Sequence, residues 1–178
     1  GPGVAHTHWV GRGVCRGRTD MYKVSNNGYL KGCDIASFYL YPVNSQDKAV
    51  QGKLWYMAKG IDSLHAWSNR QKPAWCWIET TRISDKSAKG PTPEEVRAEV
   101  WMALIHGAKG FGYFCHSFVG ETVPDALLRD QEMIRTVKSI NEQVTMLAPV
   151  LHSPDTRGYA RVRSSNPEVP VDILTKRD

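Results

Sequence analysis

Short apolar runs alternate with longer helix-period stretches through most of this chain, and that alternation constrains the fold more than any single residue does. The first run, residues 33–43 (CDIASFYLYPV), is dense in aromatic and branched side chains and is stopped at Pro42. Turn-forming Asn44, Ser45 and Asp47 follow, so the run is expected as a strand leading into a loop. Leu54, Met57, Ala58, Ile61, Leu64 and His65 then recur at three- and four-residue steps, which predicts a helix over about 52–68 with those residues on one stripe.

The pattern repeats. Residues 73–83 carry Trp75, Cys76, Trp77, Ile78, Glu79 and Thr80, and predict a second strand with an exit loop through Ser84, Asp85 and Gly90. Thr92-Pro93-Glu94-Glu95 opens a helix: a capping hydroxyl, proline in the first turn and a glutamate at the third position all suit the free amides there. Val96, Val100, Ala103, Leu104 and Ala108 form its apolar stripe, and Gly107 and Gly110 mark its end. A third strand is expected over 111–118. A last helix is expected over about 124–147, with Leu127, Leu128, Ile134, Val137, Ile140 and Val144 inward and Pro149 as its stop.

Strand–helix repeats of this kind form right-handed βα units on a parallel sheet. The strands are continuous apolar runs, as expected where both faces are covered. The expected fold class is therefore α/β: a partial (β/α) barrel of about three to four units, four if Gly3-Val4-Ala5 is the tail of a preceding strand. A closed eight-fold barrel usually takes about 250 residues, and this chain has 178. The expected domains are a half-barrel over 1–153 and, over 154–178, the start of a β appendage. The appendage reading rests on Ala160-Arg161-Val162-Arg163 and Val171-Asp172-Ile173-Leu174-Thr175.

Composition narrows the function classes. No apolar run approaches the roughly 18 residues of a membrane span, and no basic-then-apolar leader opens the chain, so a soluble protein is expected and its compartment stays unknown. Gly1-Pro2 has the form of a protease-cleavage scar, which would hide a lost export signal. The formal charge is +5, from 23 Lys and Arg against 18 Asp and Glu. Such a balance permits weak polyanion binding without arguing for it. The densest basic group, Arg12, Arg16, Arg18 and Lys23, reads as a solvated loop, or as a nucleic-acid module if Trp9 and Tyr22 share its face. Nucleic acid is not an expected partner. None of Cys15, Cys33, Cys76 and Cys115 forms a C-x-x-C pair, so buried free thiols are expected. His6 and His8 lack further ligands at a useful spacing, Gly11, Gly13 and Gly17 miss the dinucleotide spacing, and His116-Ser117 lacks a nucleophile-elbow context. Neither metal nor cofactor is expected.

Glu79 stands out. It closes a strong strand, at the end that faces the ligand crevice in α/β folds, and packing does not ask for a carboxylate after four apolar residues. The plainer alternative is a strand-end glutamate that is exposed or paired with Arg82.

Three segments in order resemble the last three strands of retaining glycoside hydrolases, the large barrel clan that includes β-galactosidases and cellulases. The run from Asp34 to Tyr41-Pro42 resembles the sixth strand. Trp77-Ile78-Glu79 resembles the seventh, which ends in the nucleophile. The stretch 97–114 (RAEVWMALIHGAKGFGYF) resembles the seventh helix and eighth strand. The match spans about 33–150. The resemblance implies that Glu79 attacks the anomeric carbon and that Tyr41 steadies its carboxylate through a hydrogen bond. It implies an oligosaccharide, polysaccharide or other glycoside as partner, with Trp77, Tyr113, Phe114, His116 and Tyr39 lining the sugar site. His116 departs from the pattern, since the clan often has Trp there. Strand alternation aims Trp77 to the same side as Glu79, with Cys76 and Ile78 toward the helices.

Retaining hydrolysis needs a second carboxylate about 5–5.5 Å from the first. In this clan it lies at the end of the fourth strand, to which no segment here corresponds. Glu99, Asp85 and Glu121 fall on a helix or in loops, with no reason to sit opposite Glu79. Two expectations follow: an enzyme fragment that acts weakly or as a homodimer completing the barrel, or a remnant that binds carbohydrate and does no chemistry.

Overall fold

In the computed structural model, residues 7–10, 30, 33–156, 158–169 and 171–177 are described. The chain divides into two compact units, Gly1–Ile134 and Arg135–Asp178. The boundary lies inside the last helix, where the sequence places it after residue 153.

The first unit is a mixed α/β structure on a parallel sheet. Its strands are β1 (Thr7–Val10), β2 (Ile35–Tyr39), β3 (Ala74–Glu79) and β4 (Gly110–Phe114), in the order β1-β2-β3-β4 with every pairing parallel. Strands β2 and β3 lie within their predicted runs and are shorter; β4 starts at Gly110, one residue before its predicted run, and stops four residues short of its predicted end; β1 adds an edge strand just after the 3–5 segment, which is outside the described residues. Helix α1 (Tyr56–Trp67) connects β2 to β3, and α2 (Pro93–Ile105) connects β3 to β4. These two βα units carry the core.

Helices α1 and α2 cover one face of the sheet. Ala36, Phe38, Ala74, Cys76 and Ile78 have no solvent exposure, and Met57, Ile61 and Leu64 of α1 and Val96, Val100 and Ala103 of α2 are equally buried. Each large side chain so buried stabilises the fold by about 1.5–3 kcal/mol. Alternate β3 residues, Trp75 and Trp77, are half-buried. Their indoles lie over two β4 glycines: a Cβ added at Gly110 would run into the Trp75 indole, and one at Gly112 would meet Trp77 Cζ3 at 2.8 Å. Strand alternation thus separates Trp77 from Cys76 and Ile78 as expected.

Helix α2 starts as its sequence requires. Thr92 accepts from the Glu95 amide at 3.2 Å, and Glu95 Oε2 accepts from the Thr92 amide at 2.8 Å. Such a reciprocal cap satisfies two amides that the helix cannot. At its far end Gly107 takes φ +95°, the left-handed conformation that closes many helices. Helix α1 begins four residues later than predicted, because Gly52 at φ +72° and the turns around it hold the preceding segment non-helical.

The last predicted helix is two. Helix α3 (Ala126–Arg129) is separated from α4 (Gln131–His152) by Asp130, whose backbone is extended. Asp130 Oδ1 accepts from the Glu132 and Met133 amides at 3.0 and 2.9 Å, so this residue caps a new helix and does not continue the old one. Leu128, expected inward, is 64% exposed. Pro149 lies inside α4 and does not stop it; the helix ends three residues later.

The β appendage is corrected. The described residues from 154 onward form no strand, only one isolated antiparallel bridge between Asp155 and Lys176. Val162, Val171 and Ile173 are 41–49% exposed, so the alternation there has no layer on which to bury its apolar face. The segment is instead pinned by polar bonds: Lys176 Nζ meets Asp155 Oδ1 at 2.6 Å and the Ser153 carbonyl at 3.1 Å, and Thr175 Oγ1 donates to the Thr156 carbonyl. No helix among the described residues is long and apolar enough to cross a membrane.

Candidate functional site

The carboxyl ends of β2 and β3 meet around Glu79. This side chain has no solvent exposure. Its Oε1 accepts from the Val43 amide at 2.6 Å, and its Oε2 accepts from the Asn44 amide at 2.9 Å and Asn44 Nδ2 at 2.6 Å. Short bonds to an ionised carboxylate are the strong kind, each worth about 1.5–3 kcal/mol. The plain alternative of an exposed or Arg82-paired glutamate therefore fails: Arg82 spends its guanidinium on the carbonyls of Ser87 and Asp85.

Asn44 organises the loop behind it. Besides holding Glu79, its Nδ2 donates to the Thr81 carbonyl at 2.9 Å and its Oδ1 accepts from the Ile83 amide at 2.8 Å. One amide side chain thus ties the exit of β2 to the exit of β3. The exit of β3 is in turn sewn to that of β4, with Thr80 Oγ1 donating to the Phe114 carbonyl at 2.7 Å and Thr81 Oγ1 to the His116 carbonyl at 2.6 Å. The sequence shows Asn44 only as a turn former, and its second role has no local signature.

Glu99 corrects an expectation. It projects from α2, is fully buried, and reaches Glu79. The sequence did carry a signal: Glu99 stands three residues after Val96 and four before Ala103, on the apolar stripe itself. Burial raises both carboxyls above the usual range, and Glu99 is raised further by the charge of Glu79. The rise at Glu79 is offset in part by the Asn44 side chain, the Val43 amide, Glu99 and the Asn44 amide.

Tyr41 lies within electrostatic reach of both carboxyls. Burial first, and then the charges of Tyr39, Glu79 and Glu99, push its phenol above the ordinary range. It is not among the donors to Glu79, whose bonds come from Val43 and Asn44. Instead its ring belongs to an aromatic arc over the strand ends. Tyr39 and Tyr41 are 5.8 Å apart between centroids, Tyr41 and Phe114 5.1 Å, Phe114 and His116 5.4 Å, and His116 and Phe118 6.2 Å and nearly parallel. Phe118, 45% exposed, extends the predicted set. Tyr113 stands apart, edge-on to Phe111 at 5.6 Å. Trp77 lies over Gly112, so its ring is packed on the sheet.

Beside the arc is a cleft of about 190 Å³ lined by Tyr39, Tyr41, Asn44, Gln46, Ser84 and Ser87, among others. Its lining sets aromatic faces next to amide and hydroxyl groups. Asp85, which accepts from the Gly120 amide at 3.2 Å, and Glu121 are exposed loop residues. Among the described residues no three His, Cys, Asp or Glu side chains gather as a metal ion would require. Cys33 and Cys76 are buried and Cys115 is half-buried. Cys15, His6, the Gly11–Gly17 run and the Arg12, Arg16, Arg18 and Lys23 group lie outside the described residues, as do the side chains of His8 and Trp9.

No family model, curated protein or solved structure matches this chain. The site's chemistry rests on its own residues.

Proposed function

We propose that this chain is the nucleophile-bearing part of a retaining glycoside hydrolase, a partial (β/α) barrel in which Glu79 is the attacking carboxylate. The observation that carries the reading is a fully buried carboxylate at the carboxyl end of a central parallel strand, beside an aromatic arc and a polar cleft. A carboxylate is costly to bury, and packing alone would put an apolar residue there.

In this reading the sugar lies along Tyr39, Tyr41, Phe114 and His116, and Gln46 and Ser84 bond its hydroxyls, while Asn44 holds Glu79 in place. Glu79 forms a bond to the anomeric carbon as the glycosidic C–O bond breaks, and water later releases the sugar. The leaving oxygen needs a proton from an acid about 5–5.5 Å from Glu79. Glu99 is buried in the helix layer, and Asp85 and Glu121 sit in exposed loops. The acid is therefore supplied from outside the described residues, by a second copy completing the barrel or by another segment. For attack, Glu79 must also exchange at least one of its bonds to the 43–44 loop for substrate.

The same burial favours a second reading, carbohydrate binding without hydrolysis, in which Glu79 only holds the cleft wall in place. Nitrophenol release from a panel of aryl β-glycosides, with oligosaccharide binding measured by calorimetry, separates the two. Turnover abolished in Glu79→Gln supports the hydrolase. Binding without turnover in both proteins supports the second reading. Neither turnover nor binding with any glycoside overturns both.

A further inference from the structure

The pair formed by Glu79 and Glu99 poses a problem of proton count. Both side chains are wholly buried. Glu79 is satisfied by three donors from the 43–44 loop. Glu99 is not: neither of its oxygens has a hydrogen-bond partner when it is taken as a carboxylate. Two carboxylates in contact have no donor between them. Give one a proton and the contact becomes a hydrogen bond, which satisfies Glu99 at once.

The surroundings decide which carboxyl holds that proton. Among the described residues the titratable groups that act on the pair are Tyr41, just past β2, and Glu95, from the preceding turn of α2, and each of them is negative or neutral. Among the described residues no Lys, Arg or His bonds to either carboxyl. Glu79, with three donors on its two oxygens, is built to hold the anion, and Glu99, whose charge is offset only weakly by the main chain of Glu79, is built to hold the acid.

We propose that Glu99 is a positioning acid: it remains a carboxylic acid at neutral pH, donates its proton to Glu79, and fixes Glu79 as the single anion of the pair. The role deepens the hydrolase reading, since it names what keeps the nucleophile ionised inside the protein, and it rests on that reading only for calling Glu79 a nucleophile. Glu99 itself touches no reacting atom.

The consequence for stability has a definite sign. A carboxyl held protonated in the fold contributes fully below its unfolded value, about 4.3, and its contribution is lost as pH rises through the folded value. Replacing it with a neutral amide removes that loss. Glu99→Gln keeps an N–H donor toward Glu79, whereas Glu99→Leu keeps none.

The test is ¹³C titration of the glutamate δ-carbons in the intact chain without ligand, the two resonances assigned from Glu79→Gln and Glu99→Gln. At pH 7 the expected result is one ionised and one protonated carboxyl, the latter Glu99. Glu79 should titrate in Glu99→Gln much as in wild type, and at higher pH in Glu99→Leu. The Tm of Glu99→Gln should rise relative to wild type as pH climbs above about 4.3. Both carboxyls ionised at pH 7, or a Tm difference that does not widen with pH, would overturn the proposal. If Glu99→Leu does not fold, the wild-type titration decides alone. None of these readouts needs turnover, so an inactive chain with a singly protonated pair would remove the hydrolase reading and leave the proton assignment standing.

Discussion

Residues 74–79 and 171–175 read alike, short and rich in branched or aromatic side chains, yet the first is a central strand and the second is no strand at all. The difference lies in the neighbours. Segment 74–79 pairs with β2 and β4 and buries Ala74, Cys76 and Ile78 under α1 and α2, while Val171 and Ile173 stay 41% and 49% exposed. Extended backbone is held by what covers it. A β pattern without a second layer remains only a pattern.

Three substitutions test that contrast. Asn44→Ala should have the largest effect, because it removes a donor to the buried Glu79 and severs the ties to Thr81 and Ile83. A loss of about 3 kcal/mol is expected by denaturant titration; an effect under a third of that would mean that the backbone amides alone hold the carboxylate. Gly112→Ala comes next. Its methyl would intrude on Trp77 at 2.8 Å, and overpacking of this kind costs about 1–3 kcal/mol, with a change in tryptophan fluorescence reporting the displaced indole. The smallest effect belongs to Ile173→Ser, which should change the unfolding free energy by less than about 0.5 kcal/mol. A larger loss there would show that 171–175 supports the fold after all.

Much of the scaffold was legible because its signals are local. The Thr92–Glu95 cap and the stripes of α1 and α2 announce themselves at fixed spacings, and the structure places them as read. The break at Asp130 was hidden, since apolar periodicity runs through it and only the aspartate marks the new start. At the site, Glu79 was legible as a carboxylate out of place on a strand. Its donors were not. Asn44 lies 35 residues away in sequence, and a contact at that distance leaves no periodicity to read. Glu99 was visible in principle, as a charge on an apolar stripe, but such a position gains meaning only when the facing residue is known. Tyr41 was placed correctly in the neighbourhood; as a donor to Glu79 it is replaced by the amides of the loop that follows it.

The two indoles over the β4 glycines also act as a key between strands. Trp75 lies opposite Gly110, Trp77 opposite Gly112, and Glu79 opposite Phe114. Sliding β4 by two residues either way would set one indole against Phe114 or against Ala108 and leave a glycine uncovered. The pairing therefore has one position in which both rings fit, and it is the position that brings Glu79 level with the aromatic arc. The alignment of the site is thus written two and four residues upstream of it, in side chains that need never touch a ligand.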